Sequence, residues 1–248
     1  MIRVTVWNED CHEDDPKFRD TLLKWYPGHI HGALCDALNS DADIEARPAT
    51  PKMPEMGLTD EVLENTDVLF WWGHICHAMV PDELAEKVQK RVFEGMGLVV
   101  LHSGHMSKIF KKLMGTSCAL RWRETEADRE RVWTIDYSHP IADGLPAYFD
   151  IPNTEMYGEI FDIPKPDDIV FMSWHAGGEI FRSGITYQRG KGKIFYFAPG
   201  HETFPIYNMP EVQRILKNAA KWAAPAKNTI QPMTKCIAMA ESPEFGKY

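Results

Sequence analysis

The chain contains 248 residues, of which 44% are hydrophobic and 25% charged, and its formal net charge at pH 7 is −9. This composition is typical of a globular protein with a large core, and the acidic excess argues against a nucleic-acid partner. The five cysteines are odd in number and form no C-x-x-C pair, so we expect no disulfide framework and a cytoplasmic location. A strand-like run opens the chain, so no signal peptide is expected. No apolar run approaches the roughly 20 residues that span a bilayer, so no membrane is expected.

Strand-like and helical runs alternate through the first half of the chain. The predicted strands are 2–8, 43–49, 67–73 and 98–102, and the predicted helices are 31–39, a short one from 59, 81–93 and 107–114. Runs 67–72 and 98–101 are apolar on both faces, which is typical of parallel strands covered by helices on both sides. This half of the chain therefore predicts a doubly wound α/β sheet.

After residue 115 the pattern changes to shorter runs joined by turns. Strands are predicted at 116–123, 130–137, 168–174, 179–188 and 193–198, followed by an amphipathic helix at 211–224. We therefore expect one α/β domain over residues 1–225, with a mainly parallel sheet, flanking helices and extra antiparallel strands. Residues 226–248 are predicted to be a surface tail. This tail and the exposed aromatic residues after 116 favour a homo-oligomer.

Ionisable side chains follow several of the predicted strands. In a doubly wound sheet the ligand binds outside the carboxyl ends of the strands. Five of the ten histidines fall at such positions, and His29 and His31 begin a helix on the same side. The residues after the strands are Asn8, Glu9 and Asp10; His74, Cys76 and His77; His102, Ser103 and His105; and His201 and Glu202.

Each of these residues also has an ordinary structural explanation. A single histidine after a strand is more often a capping or hydrogen-bonded residue than a catalyst, so the functional prediction concerns the set. We expect His12 in a solvated acidic loop, His139 in a turn, and Cys76 as a small apolar filler. Trp72 is expected in the core or beside a sugar, and Ser103 is expected to cap the next helix.

Two kinds of chemistry suit this set of residues. Imidazole and carboxylate ligands together bind zinc or a similar divalent ion, although no H-E-x-x-H or other compact signature is present. Alternatively, histidine performs metal-free acid–base catalysis with an orienting carboxylate such as Glu9 or Glu155. Both alternatives stay open, and no nucleotide cofactor is expected. The candidate metal ligands are His31, His74, His102, His105 and His201.

Two later segments add candidates. In "EMYGEIF" (155–161), Glu155 and Glu159 either reach over the sheet edge or lie in a surface loop, with Tyr157 between them. In "GGEIFRSG" (177–184), Arg182 either binds a substrate carboxylate or pairs with an acidic side chain. The glycines there allow close approach of the backbone to a ligand.

Several of these motifs together resemble the ThuA-like trehalose-utilisation family. They are "WNE" (7–9), "WWGHICH" (71–77), "LHSGHMSKIFKKLMGT" (101–116), "HPIADGLP" (139–146), "EMYGEIF", "GGEIFRSG" and "GKIFYFAPGHE" (192–202). The resemblance extends over about residues 2–225. It implies a class I glutamine amidotransferase-like fold, which is a flavodoxin-like parallel sheet with extra strands.

The same resemblance shows one departure. In glutamine amidotransferases the turn after the fourth strand carries a catalytic cysteine, and a later histidine and glutamate complete a triad. Here that turn carries His102 and Ser103, while His201 and Glu202 are adjacent in sequence. Without the thiol nucleophile, no glutaminase activity is expected.

The resemblance implies a role in the use of trehalose and related disaccharides. A keto group on such a sugar acidifies the neighbouring C–H, so we expect isomerisation, elimination or hydrolysis of a (3-keto-)disaccharide. The predicted catalytic residues are His102, His201, Glu9, Glu155 and Glu202, and the predicted substrate-binding residues are Asn8, Trp72, Ser103, Tyr157 and Arg182. The alternatives are a non-catalytic sugar-binding or regulatory module and, less favoured, a hydrolase with Ser103 as nucleophile.

Overall fold

The structure is a computed structural model that describes residues 1–124 and 128–226. Its centre is a sheet whose parallel half contains β1 (Ile2–Asn8), β2 (Ile44–Ala49), β3 (Val68–Trp72), β4 (Gly97–Leu101) and β11 (Gly192–Phe197). These strands lie in the order β2-β1-β3-β4-β11, and each neighbouring pair is parallel. This is the flavodoxin-like order, in which the direction of winding switches between β1 and β3.

The second half of the chain extends the sheet with antiparallel strands. From β11 outward these are β10 (Ile180–Arg189), β9 (Asp168–His175), β6 (Glu130–Thr134) and β7 (Tyr148–Ile151). A separate pair contains β5 (Arg121–Arg123) and β8 (Met156–Gly158). The predicted strand 116–123 is therefore reduced to three residues. Strands β7 and β8 were not predicted, because three or four residues are too few to show an alternating pattern.

Helices cover both faces of the parallel half, as its apolar strands predict. Every residue of β3 and of β4 is buried. Side chains of α1 (Arg19–Trp25), α2 (His29–Asn39) and α6 (Pro210–Ala223) pack on one face, and those of α3 (Asp60–Glu64), α4 (Asp82–Glu94) and α5 (Lys108–Met114) pack on the other. Helix α1 was missed by the sequence analysis.

The ends of α4 and α5 follow from local chemistry. Gly95, with φ of 131°, ends α4 as predicted. Ser107 begins α5, because its hydroxyl accepts the backbone N–H of Phe110 at 3.1 Å. Ser103 lies one turn earlier, in a 3-10 segment, so the cap expected from Ser103 is made by Ser107. Among the described residues, no helix is long and apolar enough to cross a membrane. The predicted tail, apart from Ala226, lies outside the described residues.

Candidate metal and acid–base centre

Four side chains converge at the carboxyl edge of the parallel half. His74 follows β3, His102 follows β4, His201 follows β11, and Glu155 precedes β8. One ligand atom from each of them lies within 4.8 Å of the others. Because parallel strands end at the same edge of a sheet, the three histidines are brought together although His74 and His201 are 127 positions apart in sequence.

His102 occupies the sharp turn directly after β4. Its φ is 49°, a left-handed conformation that non-glycine residues rarely adopt. Nδ1 lies 2.9 Å from the carbonyl oxygen of Ala198, which only accepts, so the ring proton is on Nδ1 and Nε2 faces the cluster. Nε2 lies 3.2 Å from Oε2 of Glu155. Burial works against both charges, yet the pairing outweighs it and raises the pKa of His102 while lowering that of Glu155.

The other two histidines of the cluster are held neutral. Burial, followed by the neighbouring His102, lowers the pKa of His201 to about 3. Burial and four surrounding imidazoles lower the pKa of His74 far below its usual range. The hydroxyl of Thr203, 2.8 Å from Nδ1 of His201, fixes that ring. Neutral imidazole is the form that binds metal ions.

His12 lies in the candidate site although its sequence surroundings did not predict it there. It was expected in a solvated acidic loop, but its side chain is fully buried. Its Nε2 lies 3.1 Å from Nδ1 of His74 and 3.3 Å from Oε1 of Glu202. Burial lowers the pKa of His12 to about 4 and raises that of Glu202 to about 7. Its position four residues after β1 could have placed His12 at the carboxyl edge of the sheet, but the acidic residues around it indicated a solvent-exposed loop instead.

Glu9 lies behind this group of imidazoles. Its carboxylate accepts the backbone N–H groups of Ile75 at 2.7 Å and Cys76 at 3.0 Å. These bonds tie the end of β1 to the loop that carries His74. Gly73 allows this approach, since a Cβ atom there would lie 3.2 Å from Oε2 of Glu9. The structure therefore places Glu9 as an anchor of the loop.

Two cysteines cross-link the same loops. Cys11 and Cys76, which are 65 positions apart in sequence, form a disulfide. The expectation that no disulfide forms is therefore wrong, as is the assignment of Cys76 as an apolar filler. The reason is tertiary: β1 and β3 are neighbours in the sheet, so the loops that follow them lie side by side. Cysteine spacing alone does not show this adjacency.

Three residues of the cluster, His74, Glu155 and His201, line the floor of a pocket of about 460 Å³, whereas His102 is 1% exposed and is not among its lining residues. The hydroxyl oxygens of Ser103 and Tyr157 are 2.5 Å apart, and that of Tyr157 is 3.3 Å from Nε2 of His102. Trp122 stands at the rim with 64% of its surface exposed. The other lining residues are His12, His74, His105, His201, Glu124, Glu155 and Glu202, with Lys17, Phe18, Ile75, Met106, Ala119 and Leu120. A polar floor below an aromatic rim is suited to a polyhydroxylated ligand.

Some predicted site residues are not brought to this cluster. His105 lines the pocket, but its Nδ1 lies 2.7 Å from the carbonyl oxygen of Cys118. Trp72 is buried in the core, where its indole N–H donates to the carbonyl of Gly200. Arg182 pairs with Glu159, and its Nε lies 2.7 Å from Oε1. Of the two roles expected for Arg182, the structure therefore shows the ion pair with an acidic side chain.

Asn8 and His31 form a separate group near the end of β1. The amide nitrogen of Asn8 donates to Glu13 and lies 3.3 Å from Nδ1 of His31. His31 shares a possible cation-binding group with His29 and Asp10, distinct from the cluster on the pocket floor. The amine of Lys52, 2.8 Å from Oδ2 of Asp10, already supplies a positive charge to that group.

Fold and site together define a flavodoxin-like α/β protein with a histidine-rich pocket at the carboxyl ends of its parallel strands. The family model for ThuA, described as trehalose utilisation, matches residues 3–223. The chain therefore belongs to the ThuA family, as its motifs predicted. A comparison with curated proteins found no significant match.

Solved structures show the same fold at low sequence identity. A ThuA-like protein from Parabacteroides merdae is 14% identical, with a TM-score of 0.67 over 94% of this chain and 97% of that one. A ThuA-like protein from Bacteroides uniformis is also 14% identical, with a TM-score of 0.61 over 90% and 91% of the two chains. PurLQS from Thermotoga maritima is 12% identical, with a TM-score of 0.53 over 89% and 98%. The predicted mainly parallel sheet with flanking helices is confirmed.

Proposed function

We propose that this chain is an enzyme that acts on a carbohydrate derived from trehalose or a related disaccharide, with a divalent metal ion on the pocket floor. The observation that carries this proposal is the convergence of His74, His102, His201 and Glu155 within ligand distance of one another. Membership of the ThuA family supports a role in carbohydrate metabolism. The absence of cysteine from the turn after β4 argues against glutaminase activity.

The donor set fits a divalent ion such as zinc. Three imidazoles and one carboxylate are the ligand types that zinc prefers. Nδ1 of His102 donates to the carbonyl of Ala198, the outer contact that commonly orients a metal-binding histidine. Without an ion, Nε2 of His102 lies 3.2 Å from Oε2 of Glu155, a buried oxygen that has no hydrogen-bond partner among the described residues. A cation there would bind both atoms and satisfy the carboxylate.

The residues around the cluster suit proton transfer to and from a sugar. A divalent ion bound there would polarise a substrate carbonyl or hydroxyl group. The paired hydroxyls of Ser103 and Tyr157 offer hydrogen bonds to sugar oxygens. When no cation is bound to its carboxylate, Glu202, whose pKa burial raises to about 7, can take up and return a proton near neutral pH. For a keto sugar, the proton taken would be the acidic one on the carbon beside the keto group.

The decisive experiment incubates tag-free, metal-replete protein with 3-ketotrehalose and 3-keto-glucosides and follows the sugars by mass spectrometry and NMR. We expect turnover by the parent, and a loss of at least about 100-fold in His102→Ala and His201→Ala, in line with removal of acid–base or metal groups. His139→Ala is the matched control, because His139 packs on Trp222 outside the pocket. Keto sugars left unchanged by the metal-replete parent would contradict the proposal.

A second candidate function is a non-catalytic sugar-binding module. The exposed Trp122 at the rim favours it, since a flat aromatic face binds a sugar ring whether or not chemistry follows. Binding alone predicts that His102→Ala loses only a modest amount of affinity for trehalose, measured by calorimetry. Metal-free acid–base catalysis is the other alternative, and it predicts that chelated protein stays active.

A further inference from the structure

We propose that the same pocket holds a second divalent cation, bound by His12, His74 and Glu202. This inference rests on the proposed function, because the second ion would lie beside the first. One ligand atom from each of the three residues lies within 4.8 Å of the others. The group combines two imidazoles with a carboxylate, and it includes His12 and Glu202, which the first metal cluster does not use.

The ligand atoms are already spaced as they would be around a bound ion, with one oxygen of Glu202 facing each imidazole. Nε2 of His12 lies 3.1 Å from Nδ1 of His74 and 3.3 Å from Oε1 of Glu202. Nδ1 of His74 lies 3.5 Å from Oε2 of Glu202. Two ligands at about 2.0–2.1 Å from one tetrahedral zinc ion are about 3.3 Å apart. No large movement of these side chains is needed to enclose the ion.

Burial leaves this group short of positive charge. His12 and Glu202 are no more than 1% exposed, and the ion-pair contacts of Glu202 are with the imidazoles of His12, His74 and His201. Oε2 of Glu202 has no hydrogen-bond partner among the described residues. A buried carboxylate that meets only neutral rings is costly unless a proton or a cation joins it. A divalent cation would supply that charge.

The surrounding loops hold the ligands in place. Nδ1 of His12 lies 3.8 Å from Oε1 of Glu9 and has no hydrogen-bond partner among the described residues, so it can keep the ring proton while the lone pair of Nε2 binds an ion. Glu9 is itself fixed by the backbone N–H groups of Ile75 and Cys76. The Cys11–Cys76 disulfide joins the loop that carries His12 to the loop that carries His74. The two hydrogen bonds of Glu9 and the disulfide therefore hold His12 and His74 in position relative to each other before an ion binds.

His74 belongs to both groups of ligands. Its Nδ1 is the atom that faces His12 and Glu202, and the ring has a second nitrogen, Nε2. A neutral imidazole has one free lone pair, so binding both cations through Nδ1 and Nε2 would release the remaining N–H proton of His74 to solvent and leave a bridging imidazolate. Two cations held in this way would contact two oxygen atoms of one substrate. The ligand class that this arrangement favours has neighbouring oxygens, such as a vicinal diol or a hydroxyl beside a keto group.

The test counts zinc in tag-free protein that has been loaded with Zn²⁺ and then desalted, using plasma mass spectrometry. We expect two zinc ions per chain in the parent and one in His12→Ala. His102→Ala should also retain one, because it removes a ligand of the first ion only. Circular dichroism checks that each variant is folded, and Glu202→Gln replaces His12→Ala if the latter does not fold.

A third group of residues needs its own control. Zinc bound by Asp10, His29 and His31 would also raise the count, so His31→Ala must leave two ions for the assignment to hold. If the parent binds only one zinc ion, the proposed second cation site is refuted, whichever variant loses that ion. If that single ion is lost in His102→Ala and kept in His12→Ala, the first metal site stands. A parent without zinc overturns both metal assignments.

Discussion

Replacement of Gly200 by alanine should destabilise the protein and disturb the loop that carries His201 and Glu202. Gly200 has φ of 149°, a conformation essentially restricted to glycine, and another residue there costs about 1–3 kcal/mol. An added Cβ would lie 2.0 Å from the hydroxyl oxygen of Tyr207 and 2.6 Å from its Cζ. Tyr207 is fully buried, so overpacking adds about 1–3 kcal/mol. The expected loss is about 2–6 kcal/mol, the sum of these two costs.

The loop has little freedom to relieve this clash. The carbonyl of Gly200 accepts the indole N–H of Trp72, and that of Ala198 accepts the ring N–H of His102. We expect the backbone shift that accommodates the added methyl group to move His201 away from the cluster. The zinc content of Gly200→Ala should therefore fall together with its stability.

Urea unfolding followed by tryptophan fluorescence measures the free energy of unfolding. Gly32→Ala is the matched control, because Gly32 lies inside α2 and a Cβ there meets nothing within 4 Å. Alanine is the better helix former, so this control should gain about 0.5–1 kcal/mol. Adding Tyr207→Phe to Gly200→Ala removes the closest atom and should recover part of the loss. A Gly200→Ala midpoint equal to that of the parent would refute the reasoning.

Three further predictions concern the same region. In metal-free protein the pKa of Glu202 is raised to about 7 by burial, above its usual 4.5, so its protonated form stabilises the fold and this contribution is lost as pH rises through that window. The stability advantage of Glu202→Gln over the parent should therefore grow by about 3 kcal/mol between pH 4.5 and 7, and a flat difference in urea titrations would contradict this. Cys11→Ser removes a cross-link over 65 residues, worth about 4 kcal/mol in the loop-entropy model; an unfolding midpoint that neither this variant nor dithiothreitol lowers argues against the bond. Trp122→Ala should weaken trehalose binding about tenfold in calorimetry without loss of stability, because the side chain is 64% exposed, whereas Trp174→Ala outside the pocket should leave affinity unchanged.

Most of the parallel half of the fold could be predicted from the sequence. Runs 68–72 and 98–101 are apolar at successive positions and only four or five residues long, which is typical of a strand buried on both faces. The antiparallel half was predicted less completely. Strands β7 and β8 have only four and three residues, and so short a strand carries little information of its own.

The candidate site was predicted in part for the same reason. His74, His102 and His201 each follow a strong strand signal, and strands of one parallel sheet deliver their carboxyl ends to one edge. His12 and the Cys11–Cys76 disulfide lie beyond that reasoning. The acidic residues around His12 indicate a solvent-exposed loop, and the isolated positions of the two cysteines indicate free thiols. Only the packing of one loop against the other buries His12 and brings the two cysteines together.

The sequence by itself determined the periodicity of the strands, the polar residues that end them and the motifs of the ThuA family, because these depend on neighbouring positions along the chain. The tertiary structure decided which of those polar residues meet. It gathers His12, His74 and Glu202 in one buried group and directs Arg182 toward Glu159. Burial and mutual distance set the pKa values and ligand geometry of such groups, and both depend on residues far apart in sequence.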